Sequence, residues 1–396
     1  MRTIQERPST GAAPFDSARL DRLMDDAGID VLIASSKHNV GYLLGGYRFF
    51  FFDGMDAIGL SRYLPLFVYV KGRPDQSLYV ANVMEAYERD LGRFWLPNVS
   101  TASWGTQDAM QRALEHIGKL ERPPRRIAVE MAFLPADAFR LIGARAGNAD
   151  VVDAQVPLER LRARKSPEEL ALLRKASDEV VGAMLAVIAS SGPGTSKQQM
   201  VEALKLEETR RGLNFEYCLI TTGTSLNRAP SPETWKRGEI ASLDSGGNCK
   251  GYIGDLCRMA ILGEPDSELV DILGHIEEIQ QAARKPVRAG TPGGDVYAAT
   301  ARLVENSPHK SYMSFVAHGM GLISHEAPRL SDRAPVPYPG EDAAKPLETG
   351  MVLSIETTVL HPRRGFIKLE DTLAVTATGH DAYGDAGRGW NRGKAS

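Results

Sequence analysis

The chain has 396 residues, 43% of them hydrophobic and 24% charged, and a formal net charge of -3 from 47 Lys+Arg against 50 Asp+Glu. At roughly 150 residues per domain this length predicts two to three domains, with two the starting expectation; the apolar fraction excludes a disordered chain, and the balanced charge supplies no basic field for nucleic acid. Cys218, Cys249 and Cys257 show no CxxC or Cys/His zinc spacing, the N-terminal stretch has no apolar signal core, and no run of about 18 uncharged apolar residues occurs, so a soluble cytoplasmic protein with reduced thiols and no membrane partner is expected.

An amphipathic helix is predicted from an N-cap at Asp16, with Leu20, Leu23, Met24 and Ala27 on one face and Gly28 as its stop. The strand Ile29–Ala34 follows. Leu66–Val70 and Leu78–Val80 flank Lys71-Gly-Arg-Pro-Asp75 and read as a hairpin, and Arg126–Glu130 reads as a further strand. Phe49 to Phe52 cannot all face inward from one element, so one or two rings are expected to line a pocket or a subunit contact. Residues 1–157 form an α/β unit in this reading, and the basic stretch from Leu158 to Lys165 opens the second domain, 158–396. Ser166-Pro167-Glu168-Glu169 is a capping box with Pro at N1, starting a helix that runs through Ile188. Thr195 with Gln198 predicts the start of a shorter helix to about Gly212. A long helix from about Ser267 and a shorter one from Asp295 repeat this order, a weak internal duplication.

Each half then holds a predicted hairpin with a carboxylate pair. Asp244 and Asp255 are symmetric about position 249.5, across a turn read as Gly246–Gly251, and are expected to lie directly opposite one another. Glu356 and Glu370 are symmetric about residue 363. Opposed Cβ atoms lie about 4.5–5.5 Å apart on one face, a repulsive arrangement for two anions without a cation between them. If the pairs converge, the site carries four negative charges, which two divalent ions would neutralise. Ala317-His318-Gly319-Met320-Gly321 offers an imidazole ligand, His318, and His325 follows seven residues on.

These residues resemble the pita-bread metallopeptidases, the family of methionine aminopeptidase, aminopeptidase P and prolidase. The matching segments are Asp-Ser-Gly followed by Gly-Tyr-Ile-Gly-Asp-Leu-Cys-Arg258, His-Gly-Met-Gly-Leu followed by His-Glu-Ala-Pro328, and Ile-Lys-Leu-Glu-Asp371. The resemblance implies an α/β (α+β) protein: a pita-bread catalytic domain with an internal pseudo-twofold duplication, preceded by a smaller creatinase/prolidase-like N-terminal domain. It implies Asp244, Asp255, His318, Glu356 and Glu370 as ligands of two divalent ions, with Asp255 and Glu370 bridging, Glu356 as general acid/base, and His325 as hydrogen-bond donor to the substrate carbonyl. Four carboxylates and an imidazole suit manganese, iron, cobalt or zinc, with manganese expected from the resemblance. A homodimer acting on a small molecule or short peptide, in the manner of an Xaa-Pro dipeptidase, is likewise implied.

The chain departs from the family at three places. No histidine occurs between His116 and His275, so the family's histidine before the first aspartate is absent or replaced by Asn227 or Arg228. Glu356 is followed by Thr357-Thr358 instead of Pro-Gly, and the arginine two places before the last ligand is Lys368, a point charge in place of a fork. Arg228 and Lys368 are the expected substrate contacts. These departures keep two other readings in play: a non-peptidase enzyme on the same scaffold, either a creatinase-like C–N hydrolase or a lyase, and a non-catalytic binding protein.

Overall fold

The computed structural model describes residues 11–52, 59–145, 147, 149–331 and 341–395; the side chains of Phe52 and Arg145 and the first ten residues of the N-terminal stretch lie outside the described set. Two compact units divide between Leu161 and Arg162.

In the first unit β1 (Val31–Ala34), β2 (Leu66–Val70), β3 (Leu78–Asn82), β4 (Asn98–Ser103), β5 (Arg126–Val129) and β6 (Asp150–Asp153) form one mixed sheet in the order β4-β3-β2-β1-β5-β6. Every residue of β1 and β2 is buried, because alternate side chains feed two separate cores. Leu32, Ala34, Phe67 and Tyr69 pack with α1 (Ser17–Asp26) and α2 (Lys37–Leu43). Short α3 (Ala86–Asp90) precedes β4, and α4 (Thr106–Ile117) with α5 (Ala136–Arg145) covers the other face over Val31, Ile33, Leu66 and Val68. The Asp16 carboxylate accepts from Arg19 N at 2.8 Å and starts α1, and Gly28, at φ +65°, follows its end. Beyond β5, buried Glu130 accepts from Ser36 N (2.8 Å), Ser36 Oγ (2.6 Å) and Asn39 Nδ2 (2.6 Å), which ties the start of α2 to the sheet. Of the phenylalanine run, Phe49 joins the core, Phe51 packs against it half-buried, and Phe50 is 67% exposed.

The second unit begins in the last turn of α6 (Gln155–Ala163) and repeats one order of elements. Its first half is α7 (Pro167–Ser190), α8 (Lys197–Arg210), β7 (Asn214–Thr222), β8 (Ile240–Cys249) and β9 (Tyr252–Ile261). Its second half is α9 (Ser267–Arg284), α10 (Asp295–Asn306), β10 (Met313–Gly319), β11 (Val352–His361) and β12 (Gly365–Val375), followed by β13 (His380–Tyr383) and β14 (Asn391–Arg392). The sheet runs β10-β11-β12-β9-β8-β7, a pseudo-symmetric order whose centre is the β12–β9 seam. That seam has a single registered pair, Glu370 opposite Cys257. Buried Arg258 braces it by donating to the carbonyls of Cys257 (2.8 Å), Glu370 (2.9 Å), Gly384 (2.6 Å) and Ala386 (2.7 Å).

The Ser166 capping box forms as expected, with Glu169 N donating to Ser166 Oγ at 3.3 Å and Ser166 N to Glu169 Oε2 at 2.7 Å. The next helix starts one residue later than predicted. Ser196 with Gln199 makes its capping box, and Thr195 Oγ1 instead accepts from Gly192 N at 3.2 Å. Helix α7 lies close on β9 because position 254 is glycine: a Cβ there would meet the Ala176 and Ser177 backbone at 2.6 Å. On the same face, Gln280 of α9 donates to Ile355 O (3.0 Å) and Asp371 Oδ2 (2.8 Å). The opposite face of the sheet is left for other side chains.

Glu208 of α8 is fully buried, with Oε1 accepting from Ser245 Oγ at 3.0 Å and Oε2 without a hydrogen-bond partner among the described residues. Burial pushes its pKa from 4.5 up to about 8, against the Ser245 bond and with a further push from Glu216. The folded chain therefore holds a proton that the unfolded chain releases, and stability falls as pH rises from about 4.5 to about 8. Glu208→Gln is expected to remove this component. Urea unfolding at pH 5 and pH 8 checks it: the wild-type free energy drops more between the two than the variant's, and equal drops refute the assignment.

Candidate metal centre

One row of opposed residues crosses four strands: Asp244 on β8 faces Cys257 on β9, Cys257 faces Glu370 on β12, and Glu370 faces Glu356 on β11. Opposed residues share a sheet face, and so do residues two apart on one strand. Asp255, Lys368 and, by way of Val316 opposite Glu356, His318 therefore join the same face, opposite that of Gly254 and the packed helices.

The Glu356–Glu370 pair is directly opposed, as its spacing predicts. The aspartate pair corrects the sequence reading. Asp244 lies opposite Cys257, and Asp255 opposite Gly246, so the two aspartates are diagonal neighbours. The strands continue through Gly246–Cys249, and the turn is only Lys250-Gly251, at φ +52° and +103°, the conformation of a two-residue hairpin turn. The diagonal has a structural use. Tyr217 on β7 sits opposite Gly246, where a Cβ would come within 2.4 Å of its ring, and its hydroxyl hydrogen-bonds Asp255.

Ligand-type atoms of Asp244, Asp255 and Glu370 lie within 4.8 Å of one another, as do those of His318, Glu356 and Glu370, so Glu370 belongs to both groups. His318 is buried, with Nδ1 3.2 Å from Gly319 O and Nε2 directed at Glu356 Oε1, 3.7 Å away. Ser354 Oγ donates to Glu370 Oε1 at 2.8 Å. Lys368, expected to meet substrate, is buried instead, and its ammonium lies 2.8 Å from Asp244 Oδ2, 2.5 Å from Glu356 Oε2 and 2.8 Å from Glu370 Oε2. The Arg228 guanidinium, one-third exposed, pairs with the same Asp244 oxygen and lies 4.8 Å over the Phe366 ring. Asn227 turns its side chain into its own loop, accepting from Ala229 N at 3.1 Å.

Burial acts on Asp255, Glu370, Glu356 and Lys368, and their neighbours sort them. Burial, then Asp244, pushes Asp255 up to about 6 against the Lys368 ammonium. Glu370 rises well above the usual carboxylate range by burial and then by Asp255. At Glu356 burial is outweighed by Lys368 and His318, which hold it well below that range. Burial likewise fails to neutralise Lys368, whose pKa Asp244, Glu370 and Glu356 raise.

His325 stacks on His318 with ring centroids 3.7 Å apart and its outer side exposed. Lost solvation on the packed side, then His318, lowers its pKa to about 4, so it is a neutral hydrogen-bonding group at pH 7. Its neighbour Glu326 is buried between Lys165 (Oε1, 3.0 Å) and Arg162 (Oε2, 2.9 Å), which pins the segment carrying His325. Sequence reasoning missed Tyr217, Ser354 and Glu326. The basic stretch ahead of Ser166, read as a boundary, contained the partners of Glu326.

The donor set fits a divalent cation. Carboxylates and an imidazole are its usual ligands, and His318 Nε2 is a buried nitrogen with no hydrogen-bond partner among the described residues, while its ring is oriented through Nδ1. The profile of Metallopeptidase family M24 matches residues 171–377, more than half of the chain. The chain belongs to metallopeptidase family M24. The Creatinase/Prolidase N-terminal domain profile matches residues 17–164 of this M24 protein. It is 24% identical over 373 residues to an Xaa-Pro dipeptidase of Lactobacillus delbrueckii subsp. lactis, covering 92% of this chain and 95% of the relative. An Xaa-Pro dipeptidase of Pyrococcus horikoshii is 20% identical over 367 residues, covering 91% and 94%. The structure of an Xaa-Pro dipeptidase from Bacillus anthracis superposes with a TM-score of 0.78 at 19% identity, covering 95% of this chain and 98% of the other. The second unit thus has the pita-bread fold and the first the creatinase/prolidase N-terminal fold.

In metal-free protein the raised Asp255 carboxyl binds a proton that the unfolded chain has released, so stability is lost as pH rises from about 3.8 to about 6 and stays lost above. Asp255→Asn is expected to raise stability in chelator at pH 7.5 by up to about 3 kcal/mol, and to shrink the stabilisation given by added manganese. Unfolding curves with and without metal measure both effects; a variant less stable than wild type in chelator contradicts the first.

Proposed function

We propose that this M24 protein is a divalent-metal-dependent hydrolase that cuts an amide bond in a short peptide or similarly small substrate, in the manner of an Xaa-Pro dipeptidase. The supporting observation is the pair of ligand groups that share Glu370, with His318 Nε2 unpartnered beside them. In this reading Asp244, Asp255, His318, Glu356 and Glu370 would hold two divalent ions, manganese first among them. Such ions supply Lewis acidity and make water a nucleophile near neutral pH.

The chain's own groups then move the protons. Glu356, kept ionised by Lys368 and His318, accepts a proton from the attacking water and delivers it to the leaving nitrogen. His325, neutral and open on its outer side, donates a hydrogen bond to the substrate carbonyl as negative charge develops there. Arg228, at the rim of the centre, is the cation available to a substrate carboxylate. The three cysteines are free and buried, which supports a cytoplasmic setting, and the family resemblance supports a homodimer. The resemblance also supports 1–157 and 158–396 as the two domains.

One observation favours a second substrate class, a C–N bond not followed by proline. The segment before Asp244 carries no histidine, and Arg228, which cannot act as a base, reaches Asp244 from it.

Chelation is expected to abolish hydrolysis and manganese to restore it. Glu356→Gln is expected to fold and bind metal while lowering kcat by roughly 10²–10⁴; near-normal turnover would reduce Glu356 to a ligand. With manganese, the first reading expects ready turnover of Xaa-Pro dipeptides, whereas the second expects kcat/KM on them well below about 10⁴ M⁻¹s⁻¹, with a non-proline amide the better substrate. Rapid turnover of several Xaa-Pro dipeptides would exclude that second class.

A further inference from the structure

His361 ends β11 and pairs with Gly365, the first residue of β12, across the turn Pro362-Arg363-Arg364. Its imidazole is buried, and Nδ1 accepts hydrogen bonds from the backbone N–H groups of Arg363 (3.2 Å) and Arg364 (3.0 Å). A ring nitrogen that accepts carries no proton, so the ring is neutral with its proton on Nε2, which is directed at Glu268 Oε1, 3.8 Å away. A protonated imidazole has donors only. Taking up a proton at Nδ1 therefore breaks both bonds that close the turn and leaves two backbone donors unpaired.

The surroundings oppose that proton. Arg363 and Arg364 of the turn pair with Glu268 (3.4 and 2.9 Å), and Arg364 also with Asp266 (2.7 Å), so the anions at the start of α9 are already engaged. His309 and Tyr312, ahead of β10, set their rings 5.7 and 5.3 Å from the imidazole, and His309 in turn faces His275 of α9, which lies 3.5 Å from Glu278. Burial lowers the His361 pKa from 6.5, against Glu268 and with a further push from Arg363 and Arg364. An opened turn regains the ordinary value, so opening gains by up to about tenfold for each pH unit below 6.5, until the lowered pKa is reached.

The turn is also the floor of another segment. A Cβ on Gly365 would run into Gly223 O and meet Thr224 Cα at 3.1 Å, so the hairpin bears directly on the backbone of the loop that follows β7. That loop carries Arg228. Its backbone is tied by Ile220 N to Arg228 O (2.8 Å) and by Lys197 Nζ to Asn227 O (2.5 Å), whereas the guanidinium, paired with Asp244, is seated 4.8 Å over the ring of Phe366, the residue next to Gly365.

Building on the reading above in which Arg228 meets a substrate carboxylate, we propose that His361 is a positioning residue: neutral, it holds Gly365 and Phe366 under the 223–228 loop and so keeps the Arg228 guanidinium at the rim of the centre; protonated, it releases them.

The test compares the full chain as wild type with His361→Asn, which offers the same two amides an oxygen acceptor that does not titrate, and with His361→Leu, which offers none. Hydrogen exchange read by mass spectrometry follows the turn and the loop directly. At pH 7.5 wild type and His361→Asn are expected to match over 361–366 and 223–228; at pH 5.5 wild type is expected to exchange about 3- to 10-fold faster than His361→Asn in both segments. With manganese and a short peptide bearing a free C-terminal carboxylate, wild-type KM is expected to rise by a similar factor on this acidification and that of His361→Asn to stay level, while kcat changes equally in both. His361→Leu is expected to show the raised KM at both pH values. Equal exchange at pH 5.5 overturns the proposal, and so does faster exchange of the turn without the loop; neither result needs the leucine variant to fold. A KM rise shared by wild type and His361→Asn also overturns it. Absence of turnover in all three proteins refutes the hydrolase reading, and the exchange comparison still decides whether His361 holds the loop.

Discussion

Placing Asp244, Asp255 and Glu370 within ligand distance of each other, and Glu356 within ligand distance of Glu370, largely out of water, costs several kcal/mol per charge unless cations and donors surround them. The catalytic unit is organised around that repulsion. Lys368 and Arg228 answer it with charge, and Tyr217 and Ser354 with hydrogen bonds. The sheet answers it with geometry, presenting all four carboxylates on the face that the helices leave free. The raised pKa values of Asp255 and Glu370 show that the compensation from the chain alone is incomplete.

The same principle recurs where no metal chemistry is involved. Glu326 is buried between Arg162 and Lys165, and Glu130 among the donors of Ser36 and Asn39. In both places a buried carboxylate fixes a backbone segment that leaves a strand: the His325 segment after β10, and α2 after β1. Glu208 lacks this full complement and holds a proton instead.

The parts of this arrangement readable from sequence are those set by periodicity. Glu356 and Glu370 flank a turn whose centre is unambiguous, and their register follows from counting. The same counting misplaced Asp244 against Asp255 by two residues, because Gly246-Gly247-Asn248-Cys249 has the composition of a turn and the structure of a strand. The glycines there are needed for close approach: Tyr217 crowds Gly246, and Val180 with Glu208 crowds Gly247. Those neighbours are far away in the chain and leave no local signal. Strand β7 was missed for a related reason, since its polar and apolar residues do not alternate cleanly. Lys368 was recognised as a departure, and its position two residues before Glu370 already put it on the ligand face. Spacing alone did not reveal that its ammonium reaches three carboxylates.

The seam between β9 and β12 carries a further meaning. Each half of the second unit closes its own hairpin from residues near in sequence, whereas Arg258 reaches the Glu370 carbonyl across 112 residues of chain. Local hairpins form before such distant pairings, whose loop-closure entropy is the larger. The ligand set is divided along that seam, with two aspartates on one side and His318, Glu356 and Glu370 on the other. Neither half can assemble the centre by itself, so the centre exists only once this long-range pairing has been made. An ion bound there would report that the two halves of the second unit have joined.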